Sequence, residues 1–483
     1  MSRHKRPGRR AVAGATAVAT ALAGGLLVLL PGAASAAAPS GYADDFNGDG
    51  YHDVATSAPG AVANGKAKAG AVVVNYGASA GIAAARHTIT SQSSSGVPGA
   101  SEADDRFGTE LAHGDLDGDG YGDLVVGTPQ EDVGGDKDGG SVTILWGGAS
   151  GLSGGTTVSD PNPTGHDLFG QSLAVGDFTG DKKPDLAVGS TGKDVWIFKG
   201  GFTRSAGAAG KLRLDTDVRS GAYPDGVGQL AAGDFDGDGT DDLAVGSYVG
   251  TFVYRGSKSG PALQARATDE HAASLAAGDF DRDGHDDLAL GIDFPSIGAP
   301  ARGGYVTVVP GGDAGIDPAG SRVLSQASAG VPGDDESDDW FGMAVAAGDV
   351  DGDGYADLAV GAPGEAIGSV AGAGNVWVLR GGSGGLTGAG AQSVNQGSAG
   401  VPGANEASDL FGAAVRLADV NRDGRADLVV GAGGENSDDG AVTVLRGSAA
   451  GVASTNGVGF SGPTVGIAAS GQDPMFGDTF SGS

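Results

Sequence analysis

Short apolar runs that close on glycine recur along the chain. Leu124-Val125-Val126-Gly127, Leu186-Ala187-Val188-Gly189, Leu243-Ala244-Val245-Gly246, Leu358-Ala359-Val360-Gly361 and Leu428-Val429-Val430-Gly431 are five of them. Runs this short, bounded by turn residues, predict strands buried on both faces. Gly-x-Pro or a relative of it comes next, as in Gly127-Thr128-Pro129 and Gly361-Ala362-Pro363. A second apolar segment follows, such as Val142-Thr143-Ile144-Leu145-Trp146 or Val442-Thr443-Val444-Leu445, read as an alternating strand. A glycine turn and a shorter strand then complete a unit of four strands. The unit returns every 57 to 70 residues, with one step of 45. Such a period predicts stacked copies of one supersecondary unit in a single all-β domain.

Ahead of each apolar run stands an acidic nonamer, D-x-D-x-D-G-x-x-D, in seven copies beginning at Asp45, Asp115, Asp177, Asp234, Asp279, Asp349 and Asp419. Oxygens from positions 1, 3 and 5 of a tight loop converge on one point, position 7 adds a main-chain carbonyl, and glycine at position 6 allows the turn. The carboxylate at position 9 supplies the last ligand. Read this way, the copies are Asp45, Asn47, Asp49, Tyr51, Asp53, then Asp115, Asp117, Asp119, Tyr121, Asp123, and after the third copy Asp234, Asp236, Asp238, Thr240, Asp242. The last three are Asp279, Asp281, Asp283, His285, Asp287, then Asp349, Asp351, Asp353, Tyr355, Asp357, and Asp419, Asn421, Asp423, Arg425, Asp427.

Carboxylates held this close repel one another unless a cation lies between them. An all-oxygen, flexible donor set favours Ca²⁺ over Mg²⁺. Position 12 is never acidic, so these are not EF-hands. The third copy keeps Asp177, Asp181 and Asp185 but carries Thr179 and Lys182 at positions 3 and 6, so weak binding or none is expected there. The expectation is therefore six or seven Ca²⁺ per chain, with Kd on the order of 10⁻⁴ to 10⁻³ M. A metal-free Asx-rich turn is the alternative for any single copy.

Arg3, Lys5, Arg6, Arg9 and Arg10 precede an apolar stretch from Ala11 to Leu30 and an Ala34-Ser35-Ala36 site. This predicts a cleaved signal peptide over residues 1–36, with 37–483 as the mature domain, secreted and without membrane insertion. The chain has no cysteine, which excludes disulfides and thiolate metal sites. Its formal charge of −31, concentrated in the nonamers, disfavours nucleic acid or an anionic membrane as partner.

Eight residues before a nonamer stands Phe-Gly, at Phe107-Gly108, Phe169-Gly170, Phe341-Gly342 and Phe411-Gly412. Phe-Gly, the aspartate loop and Gly-Ala-Pro in this order resemble the FG-GAP repeats of the integrin α-subunit N-terminal propeller and of bacterial secreted VCBS-like proteins. The resemblance implies a seven-bladed β-propeller of four-stranded blades. It is weaker where Val227-Gly228 and Ala272-Ala273 replace Phe-Gly. Phe476-Gly477 has no loop after it, and eight residues on from Phe476 is the place Asp45 would take. That spacing predicts a C-terminal strand completing the first blade.

Catalytic candidates are discounted. Gly77-Ala78-Ser79-Ala80-Gly81 and Gly381-Gly382-Ser383-Gly384-Gly385 match G-x-S-x-G but sit at the glycine turn of the repeat, without the strand-to-helix context of a nucleophile elbow. The histidines outside the loops are scattered. Acidic loops before the Phe-Gly strands (Glu102, Asp104, Asp105; Glu336, Asp338, Asp339; Glu406, Asp409) should share one rim, read first as a solvated face and second as a ligand surface. The function expected is a monomeric extracellular binding or adhesion module for a protein or glycan. The alternative is a propeller enzyme, a polysaccharide lyase or an esterase.

Overall fold

The computed structural model describes residues 42–219, 226–295, 299–467 and 473–482. The expected signal segment lies outside them. Seven antiparallel sheets follow one another along the chain, as a seven-bladed β-propeller requires. In the second blade the strands are Glu110–Gly114, Asp123–Thr128, Ser141–Trp146 and Ser153–Val158, running from the centre outward. Among the described residues no helix is long and apolar enough to cross a membrane.

Register is the same in every hairpin that carries a complete nonamer. Gly114 pairs with Asp123, Gly233 with Asp242, Gly278 with Asp287, Gly348 with Asp357 and Ala418 with Asp427. Position 9 therefore opens the second strand of the second to seventh blades, and there the nonamer is the turn between the two innermost strands. All seven nonamers then lie on one rim, together with the glycine turns after each third strand. The Phe-Gly ends lie on the other.

The hydrophobic core is divided into seven clusters, each shared by neighbouring blades. Phe107, Leu111, Leu124 and Val126 of the second blade pack on Ala55, Val72 and Val74 of the first. Blades are covered on both faces, and this corrects one expectation. Val142–Trp146 does not alternate between core and solvent but is buried throughout. Outermost strands are not always shorter either, since Ala453–Ser461 spans nine residues.

The two glycines of the repeat are explained by close approach. A Cβ on Gly127 would stand 2.2 Å from the Gly170 carbonyl oxygen of the next blade, and one on Gly361 would stand 2.0 Å from that of Gly412. Gly170 and Gly412 themselves have φ of +92° and +96°, a region open to glycine at little cost. Backbones of neighbouring blades touch here.

The ring closes as the sequence predicts. The first blade has three strands of its own, Val54–Ala58, Ala71–Asn75 and His87–Thr90. Residues 476–481 lie along the inner edge of the first of these. Ser57 N–H donates to Thr479 O at 2.9 Å, Gly477 N–H to Ser57 O at 3.1 Å and Ser481 N–H to Ala55 O at 3.2 Å. Phe476 and Phe480 fill the core between the seventh and first blades. Among the described residues no free sheet edge remains at the centre.

Candidate metal centres and the opposite face

Each nonamer is wound around its first aspartate. In the second blade Asp119 N–H donates to Asp115 Oδ1 at 3.0 Å and Gly120 N–H to Asp115 Oδ2 at 2.9 Å. Tyr121 N–H then donates to Asp119 Oδ1 at 3.0 Å. The same bonds recur in the other blades, for instance from Asp353 and Gly354 to Asp349. Carboxylates are thereby turned toward a common point.

Five loops bring three carboxylate oxygens within 4.8 Å of one another: Asp45, Asp49 and Asp53; Asp115, Asp117 and Asp123; Asp234, Asp236 and Asp238; Asp279, Asp281 and Asp283; Asp349, Asp351 and Asp353. Asp117 Oδ1 is buried with no hydrogen-bond partner. A hard, oxygen-preferring cation fits this donor set. Among the described residues the loops at Asp177 and Asp419 make no such cluster. In the third copy Lys182 holds a φ of +66° where other copies have glycine, a strained position for a side chain. In the seventh, Asn421 Nδ2 donates to both oxygens of Asp427, at 3.2 and 3.0 Å.

The ninth aspartate has a second role that sequence reasoning missed. It is buried in all seven copies. Asp123 Oδ2 accepts from Leu116 N–H and Oδ1 from Gly147 N–H, both at 2.9 Å. Gly77, Gly200, Gly256, Gly311, Gly381 and Gly447 donate in the same way in the other blades. The carboxylate staples the loop to the turn after the third strand. Burial, added to repulsion from neighbouring loop carboxylates, pushes Asp53 up to about 8 and Asp123, Asp242 and Asp427 up to about 7.

Asp123→Ala strands the buried Gly147 N–H, at a cost of about 1–3 kcal/mol, and removes one of two acceptors of Leu116 N–H, which also donates to Gly114 O at 3.1 Å. Asp119→Ala strands an exposed N–H and gives up a half-exposed pair with Arg204 worth about 0–1 kcal/mol. Urea unfolding in EDTA should therefore show Asp123→Ala as clearly the less stable variant. Equal stabilities would remove the staple.

On the opposite face, a basin of about 950 Å³ opens over the second to sixth blades. Its wall carries Tyr248 and Phe294, 56% and 67% exposed, with Met343 beside them. Asp269, Glu270 and Asp293 add carboxylates, and Tyr305 O–H donates to Glu270. The Phe294 and Trp340 rings lie 5.9 Å apart. Exposed aromatics grouped in a concavity mark interaction sites more often than isolated ones do.

The FG-GAP repeat model matches residues 37–74, 107–145, 169–209, 341–379 and 411–445, and an FG-GAP-like repeat model matches 234–290. Together these take in just over half of the chain. It belongs to the FG-GAP repeat family. Over 252 residues the chain is 32% identical to integrin alpha-PS2 of Drosophila melanogaster, covering 48% of this chain and 16% of that protein. Over 157 residues it is 34% identical to phosphatidylinositol-glycan-specific phospholipase D of Rattus norvegicus, covering 29% of this chain and 18% of that protein. The chain thus spans less than a fifth of the length of either relative. A solved structure of BBS1N in complex with ARL6DN aligns with a TM-score of 0.39 and 14% identity, over 70% of this chain and 78% of that one.

This FG-GAP propeller also shares the counter-charge that the sequence reading gave wholly to a cation. Arg204 reaches back from the third blade to Asp117 at 2.9 Å and Asp119 at 2.8 Å. Arg380 pairs with Asp351 and Asp357, each at 3.0 Å, and Arg255 with Asp236 and Asp238. Arg255 and Arg380 end the third strands of their blades, immediately before the glycine turn. The repeated Tyr-Arg-Gly or Leu-Arg-Gly at that place was the available signal.

Proposed function

We propose that this FG-GAP propeller is an extracellular binding module, held rigid by Ca²⁺ on one rim and presenting the basin on the other rim to a protein or glycan ligand. The observation that carries it is the grouping of Tyr248, Phe294 and Met343 with three carboxylates in one concavity. Aromatic faces supply apolar area at low entropy cost. The acids beside them orient a polar or cationic group of the ligand. In five loops the first, third, fifth and ninth residues and the carbonyl of the seventh would hold the cation, which supplies charge neutralisation and rigidity there. Extracellular placement is supported by the signal-like N-terminal sequence and the kinship with integrin alpha-PS2.

Glycan and matrix-protein arrays probed with wild type and with Tyr248→Ala/Phe294→Ala, in calcium and in EDTA, test this reading. A ligand held in calcium and weakened at least tenfold by the double variant is expected. A ligand bound equally by both proteins, or none at all, would overturn it.

A further inference from the structure

A second acidic feature repeats on the rim opposite the nonamers, and it repeats with a partner. Gln92, Gln326 and Gln396 each stand at the end of one blade's outer strand, 15 residues before a Phe-Gly phenylalanine. Each donates from Nε2 to a glutamate 39 residues further on, in the next blade. The pairs are Gln92 with Glu131 at 2.6 Å, Gln326 with Glu365 at 2.8 Å and Gln396 with Glu435 at 2.5 Å.

The other four blades have Ala61, Lys193, Gly250 and Pro295 where these three have glutamate. Beside each pair lies a buried aspartate, Asp105, Asp339 or Asp409, whose Oδ2 accepts from the N–H of Glu102, Glu336 or Glu406.

The glutamine side chains leave something unfinished. All three residues are only 4% exposed, and in all three Oε1 is buried without a hydrogen-bond partner. The amide head carrying that oxygen is the one whose Nε2 is bonded to the cluster's glutamate, and in Gln326 the same Nε2 also donates to Asp334 O at 3.0 Å. A buried acceptor without a donor costs about 1–3 kcal/mol. Three copies of that cost at one repeated place call for a ligand that accepts electron pairs. Burial together with the crowding of neighbouring acids raises Glu131, Glu365 and Glu435 as well as Asp105, Asp339 and Asp409. No lysine or arginine pairs with any of these six acids among the described residues.

We propose that each of these three inter-blade clefts is a second class of divalent-cation site, with the glutamine Oε1 and the glutamate and aspartate carboxylates as ligands. Donors that are all oxygen and include an amide carbonyl suit Ca²⁺. Each site would join consecutive blades at the face opposite the nonamer rim, between the first and second, the fifth and sixth, and the sixth and seventh.

Native mass spectrometry of the full chain titrated with calcium chloride counts the ions. Glu131→Gln, Glu365→Gln and Glu435→Gln should each bind one ion fewer than wild type, and the triple variant three fewer. Gln92→Met, which removes the amide oxygen without touching charge, should also lose one. Melting in EDTA shows whether a variant is folded before calcium is added, and a single variant replaces the triple if that one unfolds. Asp115→Asn, in a nonamer, should lose a different ion, so failure of one class does not carry the other with it. An unchanged count in all three glutamate variants would overturn the proposal.

Discussion

Exchanging calcium for EDTA at pH 8 is expected to lower the melting temperature of this propeller by a wide margin. A ligand that binds only the folded state stabilises it by RT ln(1 + [L]/Kd), about 2.7 kcal/mol at a hundredfold excess over Kd. With Kd on the order of 10⁻⁴ M, about 10 mM calcium reaches that excess. Five clustered loops then sum to roughly a dozen kcal/mol, comparable with the whole stability of a typical domain.

The pH dependence should change along with the metal. Without a cation, the ninth aspartates have folded pKa values above the roughly 3.9 of an unfolded aspartate: about 8 for Asp53, about 7 for Asp123, Asp242 and Asp427, and about 6 for Asp287. The folded state therefore holds protons that the unfolded chain has released. The stability this contributes is fully present below about pH 4 and is lost as pH rises through 6 to 8. In EDTA the melting temperature should fall across that window, whereas in calcium it should hold, because the cation takes the place of the protons. Calorimetry at pH 5 and pH 8 in both buffers decides. A melting temperature indifferent to calcium at pH 8 would end the calcium reading.

Arg416→Met should be the most damaging single substitution away from the loops. Arg416 lies on the innermost strand of the seventh blade and is buried. Its Nη1 donates to Ser481 O at 2.6 Å and Ser481 Oγ at 2.9 Å, and its Nη2 donates to Asp44. His52 Nδ1 meets the other Asp44 oxygen at 2.6 Å. Burial alone would raise the Asp44 carboxyl, yet the Arg416 guanidinium and the His52 hydrogen bond bring it down to about 2. One guanidinium thus ties together the seventh blade, the closing strand and the entry to the first nonamer. Removing one partner of such a pair leaves a buried charge and costs about 3–5 kcal/mol. Arg416→Met/Asp44→Asn should recover a good part of that loss in urea unfolding. If the single variant unfolds like wild type, the seam contributes nothing.

The hairpins and their acidic loops were legible because their determinants are local. A nine-residue turn writes its aspartates and glycines at fixed spacing, and Phe-Gly and Gly-Ala-Pro mark where two backbones touch. Closure by Phe476 could be read for the same reason, since the motif stood without its loop. Partners from another blade were not legible. Arg204 meets Asp117 across 87 residues, and no spacing within one repeat announces it. The Gln92–Glu131 link crosses a blade boundary in the same way, although its recurrence at a constant interval was there to be noticed. Alternation failed for Val142–Trp146 because the sheet is sandwiched by neighbours rather than facing water. Tyr248 and Phe294 come together only through the ring's curvature.

The interlock of Ser57 with Thr479, 422 residues apart, sets an order of events in folding. Six blades are each built from one contiguous stretch of chain, but the first is complete only once residues 476–481 dock on it. Until then the disc is a horseshoe with an empty slot, its apolar flank bare to other unfolded chains. The protein's exposure to misassembly should therefore end abruptly, when that strand docks, rather than fade as blades accumulate.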